Sequence, residues 1–382
     1  MLLSMFDNVQ TTSKKIQTPE TEPEQKTPAH TSSEVEARAV WLERIDPGAH
    51  RRIKGLRLVT AYGIAAMLGT LLGVTYGFPG GPLLGYLAGG FALWASVSEG
   101  RSTRYLSSRD LVILTMAGAL GAISMICLAP LLSGKDRPGP ELTFVIGAFL
   151  VGYLKRFGIL GAGIGSQIYI GQFLAYQYGL TFADLSTILL AELVALVAAV
   201  VPRLLSGPAE HPASILSISV VNGGGLPQEL RMGLQAGAAA LAIVLLGNIV
   251  NLKESAWAIT ACTYVIAGSA IGTMSRVLQR VVGTLIGVPL GIACLPITEH
   301  AVPLAWMLAA AAMIIYSMAL PDRYDIACGA YAFALMVTLA LGGQHSEALL
   351  AARIWETILG ATLGFAAATF ILPLRTSRPI SS

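Results

Sequence analysis

Residues 185–202 read LSTILLAELVALVAAVVP, in which Glu192 is the single charged residue. An apolar stretch of about 18 residues with few charges is typical of a membrane-spanning helix. The whole chain has this character, because 54% of its 382 residues are hydrophobic and 12% are charged. Soluble domains carry about twice that charged fraction. The sequence therefore predicts an integral membrane protein.

Eleven further apolar stretches accompany this one, and a polar segment divides the twelve into two sets of six. We expect an all-α polytopic membrane protein with about twelve transmembrane helices in two parallel six-helix repeats. The other stretches are 58–77, 83–98, 111–132, 141–154, 157–176, 230–250, 256–274, 281–297, 302–320, 326–342 and 349–373.

Four regions follow from these changes in composition. Residues 1–45 are rich in Thr, Ser, Pro, Glu, Gln and Lys, which predicts a disordered cytoplasmic tail rather than a secretory signal. The two repeats occupy 46–202 and 230–375. Residues 203–229, which contain Pro208 and Pro212, are expected to form a cytoplasmic linker.

The two halves show similar residues at similar separations, which indicates an internal repeat. An even number of spans per repeat keeps both repeats in one orientation, so the natural pathway is the interface between them. The matched residues are Arg57 with Arg231, Trp94 with Trp257, Arg109 with Arg276, Arg156 with Arg323, and Glu192 with Glu356.

The positions of Lys and Arg predict the orientation, since these residues are enriched in cytoplasmic loops. With the amino terminus inside, most of them fall on the cytoplasmic side, and both termini are cytoplasmic. The opposite side receives Lys135, Arg137, Lys253 and Arg353.

Several classes of function lack support in the sequence. A net charge of +3, with no basic patch, argues against nucleic acid as a partner. No GxSxG, HExxH or P-loop signature is present, so we do not expect an enzyme. The four cysteines are scattered singly, so we expect no disulfide, no metal and no cofactor.

Three motifs of the second half carry a family resemblance. They are SAWAITACTYV at 255–265, RVLQRVVGTLIGVPLG at 276–291 and RIWETILGATLG at 353–364. Together they resemble the fusaric acid resistance protein-like family, the aromatic acid exporters, over residues 50–375.

This resemblance implies a bacterial inner-membrane exporter of aromatic carboxylic acids or related toxic compounds. Some members of the family work with a periplasmic adaptor protein, and distant plant relatives are anion channels. The chain departs from the family in one respect: many members carry a large cytoplasmic domain between the halves, where this chain has only 203–229.

Arg276 and Arg280 are candidates for binding the substrate. Their four-residue spacing places them on one helix face at the cytoplasmic mouth of a span, and guanidinium groups bind carboxylates in bidentate fashion. The alternative is that both arginines anchor the helix to lipid headgroups. Thr284, one turn further along, is expected to line the same pathway.

Polar and aromatic side chains within other spans extend this pathway. Gln167 and Gln172 would leave donors unsatisfied in lipid, so we expect them to line a polar pathway or to bond across a helix interface. Trp257 could stack on an aromatic substrate, and the alternative is a place in the interfacial aromatic belt.

Glu192 and Glu356 are candidates for proton coupling, because they lie within apolar stretches. A charged group at membrane depth is costly and usually faces a cavity or a partner, and protonation removes that cost. The alternative is structural: Arg353 lies three residues before Glu356 and can pair with it on one helix face.

The sequence thus favours a secondary exporter of organic anions, driven by the membrane potential, a proton gradient or both. Its partners are the anionic substrate and the lipid bilayer. Whether a second copy of the chain completes the pathway stays open. The rival interpretations are a passive organic-anion channel and a membrane scaffold that transports nothing.

Overall fold

Each of the twelve apolar stretches overlaps a helix in the computed structural model of this chain. The structure describes residue 46 and residues 49–100, 103–133, 139–206, 226–250, 255–320, 322–343 and 346–373, and these residues contain no strand. The predicted tail at 1–45 and most of the predicted linker, 207–225, lie outside the described residues. All helices given below belong to one compact unit, residues 48–382.

Six α-helices cover the described part of the first half, and short 3₁₀ or π turns extend several of them. They are α1 His50–Thr70, α2 Pro82–Ser98, α3 Arg104–Leu132, α4 Thr143–Tyr153, α5 Gly158–Gln177 and α6 Leu185–Leu205.

Seven α-helices cover the described part of the second half, of which α10 is a single short turn region. They are α7 Gln228–Val250, α8 Ser255–Val265, α9 Ala270–Ala293, α10 Leu295–His300, α11 Val302–Ala319, α12 Tyr324–Leu341 and α13 Glu347–Phe370.

Within the described residues, eight helical runs are long and apolar enough to cross a membrane. The predicted all-helical membrane protein is thus confirmed, whereas the count of twelve spans stays a prediction. Three features lower the count: α2 has 17 residues and α8 has 11, the two stretches at 141–154 and 157–176 form one run, Pro140–Gln177, and α13 is not among the eight runs.

The predicted span at 256–274 is wrong as a single helix, because the chain breaks between α8 and α9. The Ser269 hydroxyl accepts a hydrogen bond from the Gly272 amide and so caps α9. The Thr273 hydroxyl accepts from the Ala267 amide at 3.1 Å, and the Gln228 side chain donates to the Gly268 carbonyl at 3.0 Å. These bonds satisfy backbone groups that a break within the membrane would otherwise leave exposed.

The helices of each half pack against one another in the same pattern. In the first half α5 packs on α3 and α4, while α6 packs on α1, α2 and α3. In the second half α12 packs on α9 and α11, while α13 packs on α7, α8 and α9. Between the halves, the most extensive packing joins α4 with α7 and α1 with α11.

Glycines bring the tightest of these helix pairs together. A Cβ on Gly121 of α3 would collide with the carbonyl oxygen of Ile168 in α5, and a Cβ on Gly287 of α9 would collide with that of Gly329 in α12. A Cβ on Gly283 would lie 2.5 Å from the Asp325 carbonyl oxygen. Small residues permit such close backbone approach in membrane bundles. The contact fixes α9 against α12, and both helices contribute to the cavity described next.

Candidate functional site

A cavity of about 1170 Å³ lies between helices of the two halves. From the first half, α1, α2 and α5 line it, and from the second half α8, α9, α11 and α12 do so. Sites for drug-sized ligands usually measure about 300–1,000 Å³. The cavity is therefore large enough for a bulky organic molecule.

The cavity extends along the whole length of several helices. On α5 its lining runs from Ile159 to Gln177, on α2 from Pro82 to Ser98, and on α12 from Tyr324 to Leu341. With a rise of about 1.5 Å per residue, the stretch on α5 is about 27 Å long. This length is comparable to the hydrocarbon thickness of a bilayer, about 30 Å.

Aromatic side chains make up a large part of the lining of the cavity. Eight of the chain's twelve tyrosines and three of its five tryptophans line it, together with Phe173. Aromatic rings offer offset-stacked and edge-to-face contacts to a ligand ring. The lining tyrosines and tryptophans are Tyr62, Tyr86, Trp94, Tyr169, Tyr178, Trp257, Tyr264, Trp306, Tyr316, Tyr324 and Tyr331.

Contacts among these rings hold them in place. Trp94 lies edge-on to Tyr331, with ring centroids 5.5 Å apart, and Tyr316 lies within 6.3 Å of both rings. Phe173 and Trp257 form a second edge-on pair, with centroids 4.6 Å apart. The walls are therefore pre-formed rather than assembled from freely rotating side chains.

Hydroxyl pairs fix two of the tyrosines across the interface between α5 and α8. Tyr169 Oη lies 2.8 Å from Thr260 Oγ1, and Tyr264 Oη lies 2.7 Å from Ser166 Oγ. Each pair joins the first half of the chain to the second. These bonds satisfy phenol groups that face a largely apolar space.

Among the described residues that line the cavity, Arg276 and Arg280 are the only charged ones. Arg280 Nη1 donates to Tyr324 Oη at 3.4 Å, and Arg276 Cζ lies 6.0 Å from the centroid of the Tyr324 ring. Both arginines lie near one end of the cavity, beside the start of α12. That end is therefore positively charged.

The phenol of Tyr178 adds no negative charge to this lining. Burial, with a smaller contribution from the neighbouring Tyr86, raises the pKa of Tyr178 to about 12. The Tyr178 hydroxyl is therefore neutral at physiological pH and can donate a hydrogen bond. The described residues that line the cavity include no carboxylate.

A small side chamber of about 30 Å³ adjoins the main cavity. Trp257 and Arg280 line both spaces, whereas Thr284 and Arg353 line only the chamber. Arg353 Cζ stacks 4.2 Å from the centroid of a Trp257 ring, and Arg353 Nη1 lies 3.4 Å from Glu356 Oε2. Arg353 thus holds Trp257 in the wall by a cation–π contact.

The structure brings five of the predicted site residues together. Arg276, Arg280 and Trp257 line the main cavity, while Thr284 and Arg353 line the chamber. Glu356 lies beside the chamber because it pairs with Arg353, which is the structural alternative that the spacing allowed.

The other predicted residues lie outside the lining. Gln167 donates to Ser98 Oγ at 2.9 Å and Gln172 donates to Ser124 Oγ at 3.2 Å, so both amides bond across helix interfaces rather than line the pathway. Glu192 lies beside Thr115 of α3, away from both spaces.

Most of the aromatic lining was missed by sequence reasoning. Tyr264 lies at the end of the first family-like motif and Tyr324 is the first residue of α12, yet nothing local indicates that they share one cavity. Trp94 carried a signal, since it matches Trp257 in the repeat. Within the described residues, no group of three His, Cys, Asp or Glu side chains could hold a metal ion.

The chain was compared with curated proteins, with solved structures and with models of protein families. Uncharacterized protein ORF2 of Neisseria gonorrhoeae is 29% identical over 136 residues, which are 36% of this chain and 32% of that protein. The chain thus aligns with about a third of that relative's length. No solved structure matches.

The family comparison agrees with the motifs of the second half. Together with the apolar helices, it indicates a membrane transporter-like protein. The model of the fusaric acid resistance protein-like family matches residues 239–367, which confirms the resemblance that the motifs in this region predicted.

Proposed function

We propose that this protein is a secondary transporter that exports organic anions, chiefly aromatic carboxylic acids or related toxic compounds, across the bacterial inner membrane. The observation that carries the proposal is the main cavity. It runs the length of α2, α5 and α12, twelve aromatic residues line it, and among its described lining residues only Arg276 and Arg280 are charged.

The charge of the cavity favours anions over cations and neutral molecules. Two guanidinium groups without a lining carboxylate attract a carboxylate and repel an ammonium group. Lys155 lies close enough to Arg276 to interact with it electrostatically, which adds positive charge at the same end. The aromatic walls then contact the body of the anion.

The direction of transport follows from the proposed orientation. With both termini in the cytoplasm, the end that carries Arg276 and Arg280 faces the cytosol. A membrane potential that is negative inside drives an anion outward by about 2.3 kcal/mol per charge per 100 mV. Export therefore needs no ATP.

The proposal includes two parallel six-helix repeats with the pathway between them. Two observations support this arrangement: the helices of the two halves pack in matching patterns, and the halves contact each other through α4 with α7 and α1 with α11. Small movements of one half against the other would expose the cavity to either side in turn. A periplasmic adaptor belongs to the same proposal on the resemblance alone, and a homo-oligomer belongs to it because a second copy would help to enclose the pathway.

Accumulation in inverted membrane vesicles tests the proposal. We expect respiring vesicles to accumulate benzoate and 1-naphthoate, because the interior of an inverted vesicle corresponds to the outside of the cell. The neutral amides of both acids should not accumulate, since they lack the charge that the arginines bind. The measurement is uptake of labelled compounds with and without a protonophore.

Vesicles from cells that lack the protein are the control. Accumulation of neither acid would contradict export of aromatic anions and favour a scaffold that transports nothing. Accumulation of the acids that never exceeds the concentration ratio set by the membrane potential would favour the passive channel.

Proton coupling is a separate part of the proposal and has its own test. We expect Glu356→Gln to lower benzoate accumulation less than ten-fold and to remove its protonophore-sensitive, pH-driven part, because Glu356 contacts the arginine beside the pathway. The measurement is uptake driven by an imposed pH gradient at zero potential. Glu192→Gln serves as the comparison, since Glu192 lies away from both the main cavity and the side chamber. Unchanged pH-driven uptake in both variants would contradict proton coupling through these two carboxyl groups.

A further inference from the structure

The side chamber has the composition of a binding site for a small anion. Its polar lining includes Arg280, Arg353, Thr284, Thr357, the hydroxyl of Tyr331, the thiol of Cys328 and the indole of Trp257. Thr284 and Arg353 are more than nine-tenths buried. Every one of these groups can donate a hydrogen bond, and the described lining of the chamber contains no carboxylate.

Two buried donors of the lining residues lack an acceptor in the described part of the chain. They are Trp257 Nε1 and Arg280 Nε, neither of which has a hydrogen-bond partner. A buried donor without a partner is costly, so an acceptor at this position would relieve the cost. The indole N–H can only donate, which makes it selective for an acceptor.

The local charge balance also favours an anion. Arg353 is paired with Glu356, so that charge is compensated. Arg280 faces the neutral phenol of Tyr324 instead. One positive charge therefore stays uncompensated beside the chamber, and a water molecule would satisfy donors without compensating it.

The volume limits the size of the occupant. The chamber measures about 30 Å³, which is close to the share of one water molecule in the liquid, about 30 Å³. A halide ion or a single carboxylate group has this size, whereas an aromatic ring does not. Because Trp257 lines both spaces, a carboxylate in the chamber would leave its ring in the main cavity.

We propose that the side chamber is a second anion subsite of the pathway, which takes a single carboxylate group or a free anion of the same size. Arg280 connects it to the main cavity, Arg353 and Thr284 form its inner wall, and Trp257 forms the partition. The assignment to a substrate carboxylate rests on the proposed function, whereas the binding of a free anion does not.

Bromide quenching of indole fluorescence tests the subsite on the purified full-length protein. Sodium gluconate, whose anion is too large for the chamber, keeps the ionic strength constant. We expect a saturable component of quenching that is lost in Trp257→Phe. In Thr284→Val the concentration for half-saturation should rise about five-fold, because one hydroxyl donor is removed without a change of volume.

Thr362→Val is the matched control, since Thr362 lies on α13 but is exposed and bonds to the Ile358 carbonyl. It should leave half-saturation unchanged. Quenching that depends on Trp257 but rises linearly, or that Thr284→Val leaves unchanged, would overturn the subsite. So would the absence of any Trp257-dependent quenching, which would leave the chamber to water.

Competition separates the two sources of the anion. Displacement of bromide by benzoate assigns the subsite to the carboxylate of the substrate, and displacement by formate alone assigns it to a small free anion; both results support the subsite. The quenching experiment measures binding to the purified protein and does not depend on transport. A failed quenching experiment therefore leaves export standing, and failed accumulation in vesicles leaves the binding result standing.

Discussion

Arg280→Gln is expected to lower the accumulation of aromatic carboxylates in inverted vesicles about 10- to 100-fold. Arg280 is one of two cations in the cavity lining, and it also lines the side chamber. Hydrogen bonds to charged groups contribute about 1.5–3 kcal/mol, and about 1.4 kcal/mol corresponds to a factor of ten. The measurement is initial uptake of labelled benzoate, normalised to the amount of protein in the membrane.

Two further variants make this result specific. Arg280→Lys keeps the charge but loses the planar fork, so its uptake should fall between those of wild type and Arg280→Gln. Arg323→Gln is the matched control: Arg323 is exposed, pairs with Asp325 at 2.8 Å and lies outside the cavity lining. Normal uptake by Arg280→Gln at normal protein levels would remove Arg280 from the route.

Gly287→Val is expected to abolish most of the folded protein. A Cβ at this position would collide with the backbone carbonyl of Gly329, which no side-chain rotation can move. Overpacking a core costs about 1–3 kcal/mol even where side chains can shift, and here α9 and α12 must separate instead. We expect a loss of about 3 kcal/mol or more in the free energy of unfolding. The measurement is the fraction of monodisperse protein that survives a temperature series.

Gly63→Val is the control for this prediction. Gly63 lies on an exposed face of α1, and a Cβ there would meet nothing within 4 Å. The same side chain should therefore be tolerated. If Gly287→Val survived heating as well as Gly63→Val, the close contact between α9 and α12 would be incorrect.

Local patterns in the sequence were enough to find part of the site. Arg276 and Arg280 are one helical turn apart, so any helix through them presents both to one side. The same reasoning paired Arg353 with Glu356, which the structure also contains. Both arrangements depend on spacing within one helix, which the sequence shows directly; the roles of these residues stay predictions.

Features that depend on contacts between distant segments could not be predicted in this way. The buried amide of Gln167 needed a partner, but that partner, Ser98, lies 69 residues away. The aromatic walls combine rings from six helices, and no single helix shows that they meet. The break between α8 and α9 depends on side-chain bonds from Thr273 and Gln228, which hydropathy does not register.

The proportions of the cavity restrict how molecules move through it. A volume of 1170 Å³ spread over about 27 Å corresponds to a mean cross-section of roughly 43 Å², about that of one aromatic ring seen face-on. The cavity is therefore several times longer than its mean width. A ring-sized molecule is expected to travel along the axis of the helices, and the rate of export should depend on the width of the molecule across that axis.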